Sequence, residues 1–235
     1  MSQTNTVSAA AKAAGRGRIP ATGAGRNLLV CSAIAGPFYV VVSLTQALTR
    51  EGFDLTRHAW SLLSNGSLGW IQATNLMVTG LMVTAGAGGL RRVVALDRRG
   101  IRSARLWVAY GLSMVAAGIF RADPALGFPP GTPDGGVSTS WHGVLHFVSA
   151  GIGFLCLVVV CYQLARHFAA AGLRGWAMFS RITGSVFLAG FVALAGSGGA
   201  AWANLTFTAA ILLAWAWLSM VSLHFRSRAP RTATA

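Results

Sequence analysis

Apolar residues in this chain fall into six long continuous runs separated by short polar stretches. The runs are Asn27–Leu48, Gly69–Leu90, Ala104–Arg121, Ser140–Leu164, Ile182–Gly199 and Trp202–Phe225. Each reaches or approaches the roughly 20 residues that a helix needs to cross a bilayer at about 1.5 Å per residue. A transmembrane β-barrel would show short alternating segments instead; these runs are unbroken and rich in Leu, Ala, Val and Gly. The pattern predicts an all-α polytopic membrane protein, a bundle of six transmembrane helices arranged as three successive hairpins. The third run is the shortest, with only fifteen residues between Arg105 and Arg121. Its arginines must snorkel, or the helix is locally mismatched with the bilayer.

The charges give this bundle a direction. Only 10% of the 235 residues are charged, against about 25% in an ordinary soluble domain. Sixteen of the nineteen Lys and Arg residues lie before the first run, between the second and third, between the fourth and fifth, or after the last. All four segments share one side of the membrane, so the positive-inside rule predicts that both termini are cytoplasmic. The opposite side keeps Arg50, Arg57 and Arg121 together with four of the five acids, Glu51, Asp54, Asp123 and Asp134. The formal net charge of +14 is therefore read as cytoplasmic anchoring, with no nucleic-acid partner and the lipid bilayer as the surroundings. The expected organisation is a disordered basic tail over 1–26, a transmembrane domain over 27–225 and a second basic tail over 226–235. Cys31, Cys156 and Cys161 fall inside runs, so no disulfide framework is implied. The excess of Arg over Lys, with abundant Ala and Gly, points to a bacterial plasma membrane.

The outer connections differ in character. The first, Thr49–Leu68, mixes Phe53, Trp60, Leu62 and Leu63 with polar residues, a composition that suits a short helix in the interface. The second, Ala122–Thr139, holds four of the seven prolines and is expected to be stiff and folded over the bundle. Trp60, Trp70, Trp141 and Trp202 on the outer side, with Trp107 and Trp176 on the inner, read as aromatic belts. Glycines over 85–89 and at Gly151, Gly153, Gly184 and Gly190 mark places where helix backbones approach closely.

Candidate chemistry converges on the outer face. Asp54 and His58 are four residues apart, as are His142 and His146, a spacing that puts each pair on one face if helical. An ionisable group as deep as His146 is costly unless it is paired or functional. Asp54, His58, Asp123, His142 and His146 are the candidate acids and bases. Arg57, Asn75, Arg121 and Trp141 are candidate ligand contacts, Arg121 for a phosphate or carboxylate. Against these stand plain structural readings: Arg121 paired with Asp123 as an interfacial snorkel, and Asn75 as an interhelical hydrogen bond. His142 and His146 also make a half-site for Zn²⁺, which Asp54, His58 or Asp123 would complete; the competing reading is that both histidines bond neighbouring spans. Haem is disfavoured, because two histidines of one helix cannot both be axial ligands of one iron.

Several segments resemble a known family. They are Gly52-Phe53-Asp54-Leu55-Thr56-Arg57-His58, Ser61-Leu62-Leu63-Ser64, Gly69-Trp70, Gly118-Ile119-Phe120, Asp123-Pro124, Gly127-Phe128-Pro129-Pro130-Gly131, and Ser140-Trp141-His142-Gly143-Val144-Leu145-His146. Their kind and order resemble the bacterial membrane proteins catalogued as domain of unknown function 998, over approximately 27–225. Arg121 departs from that pattern, where a neutral residue is expected. The resemblance implies about six spans and outer-face motifs that belong together, and it carries no activity.

Three functions fit the sequence: a membrane enzyme acting on a lipid or isoprenoid-like substrate, a protein that binds or transports a lipid-like small molecule, and an accessory membrane protein whose polar cluster ties loops to the bundle. The near absence of charge from the middles of the runs counts against active transport.

Overall fold

The computed structural model describes residues 23–94, 98–135 and 137–228. Lys12, Arg16, Arg18, Asp97 and Arg231, and with them most of both expected tails, lie outside the described residues. Six helices follow one another: α1 Gly23–Thr49, α2 Gly69–Val94, α3 Arg98–Ile119, α4 Trp141–Ala170, α5 Arg174–Gly196 and α6 Ala201–Arg228. No β-strand occurs among the described residues. Each helix packs on its neighbours in sequence, and α6 returns to pack on α1. The bundle is therefore a closed ring, with the start of α1 and the end of α6 at one end and the two long loops at the other.

Five of the six helices are long and apolar enough to cross a membrane, which makes this a multi-pass membrane protein. The exception is α3. Its first turns carry Arg102 and Arg105, and its apolar part is short. It still faces the ring through Ala104, Trp107, Tyr110, Met114 and Ala117, buried residues three or four apart. The helices also extend beyond the apolar runs. α5 begins at Arg174, eight residues before its apolar run, and α1 begins at Gly23, inside the expected tail. Arginine is a good helix former, so bilayer boundaries and helix boundaries need not coincide.

Small residues set the close approaches. A Cβ on Gly36 would lie 2.9 Å from the Trp215 carbonyl of α6. One on Gly89 would lie 2.6 Å from the Gly25 carbonyl of α1, and one on Gly118 2.7 Å from the Ala73 carbonyl of α2. Gly151 differs from the expectation, since it has open space around it. The three-residue turn from α4 to α5 closes on Gly172, at φ +74°, with the Leu173 N–H donating to the Phe168 carbonyl at 2.8 Å.

Two sequence expectations need correction. The segment of the first loop expected in the interface is a 3-10 helix, Trp60–Ser64, whose Trp60, Leu62, Leu63 and Ser64 are buried between the ends of α1 and α2. Its apolar side chains find a packed site in the open end of the ring, which removes more apolar surface than lying on the membrane would. Trp70, Trp141 and Trp202 are more than half exposed, as a belt requires, whereas Trp60 and Trp107 are core residues. Trp60 packs on Tyr39 and Trp107 on Trp217, with ring centroids 5.9 Å and 5.8 Å apart.

Candidate functional site

The loop end of the ring is roofed rather than open. Ala122–Leu126 of the second loop and Trp60–Leu62 of the first lie over it, and beneath them is a cavity of about 600 Å³. Its walls are aromatic and aliphatic, drawn from every helix: Tyr39, Leu76, Tyr110, Met114, Phe154, Phe187, Phe191, Phe207 and Trp215 among them. Polar side chains are few: Arg57, Ser61, Asp123, Thr139, His146 and Asn204 toward the roof, with Tyr39, Tyr110 and Ser113 among the helices. The space beneath the two loops is therefore apolar in character and not a His/Asp cluster.

The roof is fastened by side chains that the sequence had marked as catalytic. His58 is buried between Phe53 and Phe128, with ring centroids at 5.2 Å and 5.4 Å. Its Nδ1 accepts the Asp54 N–H at 2.8 Å, so its Nε2 must carry the proton it donates to the Leu126 carbonyl at 2.9 Å. Leu126 holds a left-handed φ of 57°, which aims that carbonyl at the ring. Asp54 and His58 are thus partners through a turn, not through a helical face as their spacing suggested. The Asp54 carboxylate turns outward and accepts the Thr56 N–H and hydroxyl, both at 2.7 Å, which hold it below the usual carboxylate range.

Asp123 fastens the other side. It does not pair with Arg121, which is exposed; its oxygens accept the Ser140 N–H, at 2.8 Å, and the Ser140 hydroxyl. Ser140 in turn caps α4 by accepting the Gly143 N–H at 3.1 Å. The carboxylate also lies against the positive end of that helix. A methyl group on Gly143 would collide with Asp123, which explains the glycine. Among the described residues the one ion pair is Arg57 to Asp134, at 3.1 Å between exposed side chains of the two loops.

His142 and His146 separate in role. His142 is exposed and stacks on Trp141, ring centroids 3.6 Å apart, away from the cavity. His146 is buried, and its Nδ1 meets the carbonyls of Ala117 and Phe120 at 3.0 Å and 2.8 Å. Two carbonyls require a proton on Nδ1, so Nε2 carries the lone pair. Among the described residues no three His, Cys, Asp or Glu side chains come together, so the zinc half-site gains no further ligand.

Asn75 is not at the cavity. It belongs to a buried network between α1 and α2, where its amide donates to the Tyr39 carbonyl, Ser43 and Gln72 and its oxygen accepts from Thr79. Gln46 joins through the same Gln72 oxygen at 2.9 Å. This is interhelical adhesion by amides in an apolar medium.

Two residues that the sequence reading passed over matter here. Arg50 donates to the carbonyls of Leu63 and Asn65 and lies 5.0 Å over the Phe128 ring, tying both loops together. Asn204, in the first turn of α6, donates to the carbonyls of Leu55 and His58 at 2.7 Å and 3.1 Å. An amide one turn into an apolar run was the available signal for Asn204. Arg50 gave none beyond its charge.

The sequence matches the family described as protein of unknown function, DUF998, over residues 33–224. The chain belongs to this family. The DUF998 region starts within α1 and ends within α6, and it contains every residue that borders the cavity. The motifs that carried the resemblance meet in space: Phe53 packs on Phe128 edge to face at 5.1 Å, and Gly52 approaches Pro130. No curated protein matches the chain, and no solved structure does.

Proposed function

We propose that this DUF998 protein binds a lipid-like, largely apolar small molecule inside the roofed end of its helix ring. The cavity carries this reading. Protein interiors pack densely, and a void of about 600 Å³ walled by aromatic rings is the size and character of a ligand site. Access from the bilayer fits the packing of α5. None of residues 191–199 is buried, and Phe147 of the facing α4 is exposed while bordering the cavity. A molecule dissolved in the membrane would pass between α4 and α5 at that level.

Acid–base catalysis has less support. His58 has both ring nitrogens engaged, the Asp54 carboxylate faces its own turn, and His142 lies away from the cavity. A purely structural role explains the loop fastenings but not the void beneath them. We place all six helices across a bacterial plasma membrane with both termini cytoplasmic, because Arg91, Arg92, Arg166, Arg174, Arg226 and Arg228 lie at the terminal end of the ring.

The test is retention. Wild-type protein purified into lipid nanodiscs should carry close to one tightly held lipophile per chain by native mass spectrometry. Ala150→Trp, which fills the cavity from α4, should lose it while keeping its helical content. Equal retention by both proteins, or none by either, would count against the reading.

A further inference from the structure

At the roofed end of the cavity three side chains, His146, Asn204 and Asp123, keep acceptor capacity that no described residue fills. His146 is 4% exposed and borders the cavity, and its Nδ1 is committed to two backbone carbonyls. Its Nε2 lone pair is taken by no described residue. Asn204 is 1% exposed and also borders the cavity. Its amide nitrogen donates to two carbonyl oxygens, which fixes the orientation of the amide and leaves Oδ1 available to a ligand. The Asp123 carboxylate, which borders the same space, accepts only from Ser140 and retains lone pairs. The one cation on the rim, Arg57, is paired with Asp134. All three acceptors belong to the roofed end: Asp123 to the roof itself, Asn204 to the first turn of α6, and His146 to the second turn of α4.

A buried acceptor without a donor is costly, so this end of the cavity selects a ligand that brings donors and repels one that brings only negative oxygens. The rest of the wall is mainly aromatic and aliphatic and suits a hydrocarbon chain. Resting on the binding reading above, we infer that the ligand is a hydroxyl-headed lipophile, a long-chain alcohol whose O–H is donated to the His146, Asn204 and Asp123 end while its chain lies among Phe154, Phe187 and Phe207. A phosphorylated form of the same chain would meet Asp123 and two lone pairs, and binds less well.

Three radiolabelled probes, bound to the intact wild-type chain in nanodiscs, test this directly. They are a prenyl alcohol of about fifteen carbons, its methyl ether and its monophosphate. The expected result is that the alcohol binds at least about tenfold more tightly than the ether, with the monophosphate weaker still. Equal binding of alcohol and ether would overturn the head-group assignment and leave the binding reading intact. Tighter binding of the monophosphate would also overturn it, and would move the head contact to Arg57 released from Asp134. Failure of all three to bind would bring down the binding reading with it. His146→Gln, whose amide can donate to the same carbonyls and present an oxygen, should keep the preference, and His146→Leu should reduce it at least about threefold. An unchanged preference in a folded His146→Leu would remove His146 from the site.

Discussion

The two ends of the ring use the same kinds of side chain to opposite effect. At the terminal end, Trp107, Trp217, Phe168, Leu164 and Val221 are buried and fill the centre. Phe168 stacks on Phe225 at 5.6 Å, and the Trp217 indole donates to Ser180 at 2.9 Å. At the loop end, Tyr39, Phe187, Phe191, Phe207 and Trp215 stand around a void, and hydrogen bonds fasten the roof above it. Composition alone does not distinguish the ends. What differs is the roof: two loops fastened by Arg50, His58, Asp123 and Asn204 cap the ring, so that the helices there need not close on one another. The terminal end is held by packing, and the loop end by hydrogen bonds around a space.

That contrast can be broken most sharply in the packed end. Trp217→Ala should cost about 3–5 kcal/mol, read as a large fall in melting temperature in detergent. Phe191→Ala, which removes a ring already facing the void, should cost less than half as much. Equal losses would mean that the loop end is as tightly packed as the other.

Removing the central strap comes next. His58→Ala leaves the Asp54 N–H and the Leu126 carbonyl without their partner, and should cost about 2–4 kcal/mol. Hydrogen exchange should rise across 122–135 and stay unchanged in α4–α5 near Gly172. A uniform rise would show that the roof is not a separate unit.

Gly143→Ala sharpens the comparison at a single atom. The added methyl must displace Asp123 from the Ser140 cap, at about 1–3 kcal/mol, while Gly151→Ala, with open space around it, should be neutral in the same thermal assay. The exposed Arg57–Asp134 pair should matter least: Asp134→Asn should change stability by under about 1 kcal/mol, and less as salt is added. If Asp134→Asn matched His58→Ala in melting temperature, the roof would be held by charge rather than by its buried bonds.

Much of this was legible in the chain and some was not, for reasons that particular residues make clear. Continuous apolar runs mark helices whatever faces they turn, so the all-helical membrane fold could be read directly. The proline-rich second loop could be read as a cover for the same kind of reason, since Pro129 and Pro130 restrict the backbone around Phe128. The cavity could not, because in a membrane both faces of a helix are apolar and nothing in Phe154 or Phe207 announces an inward direction. Trp60 and Trp107 mislead likewise, since an indole suits a belt and a core equally. Asp54 and His58 looked like two groups on one helical face, and only the turn between them shows that the ring bonds the backbone of its partner. His146 is the reverse case. Its depth in the run pointed to it, and the structure supplies the reason, two carbonyls on one nitrogen and none on the other.

The most direct measurement is an experimental density map of the full chain in lipid nanodiscs, without added ligand. The account predicts elongated density in the cavity, its polar end near His146 and Asn204 and its tail among Phe154, Phe187 and Phe207. Closure of α4 and α5 onto α6, with those rings meeting and no room left beneath the roof, would contradict it.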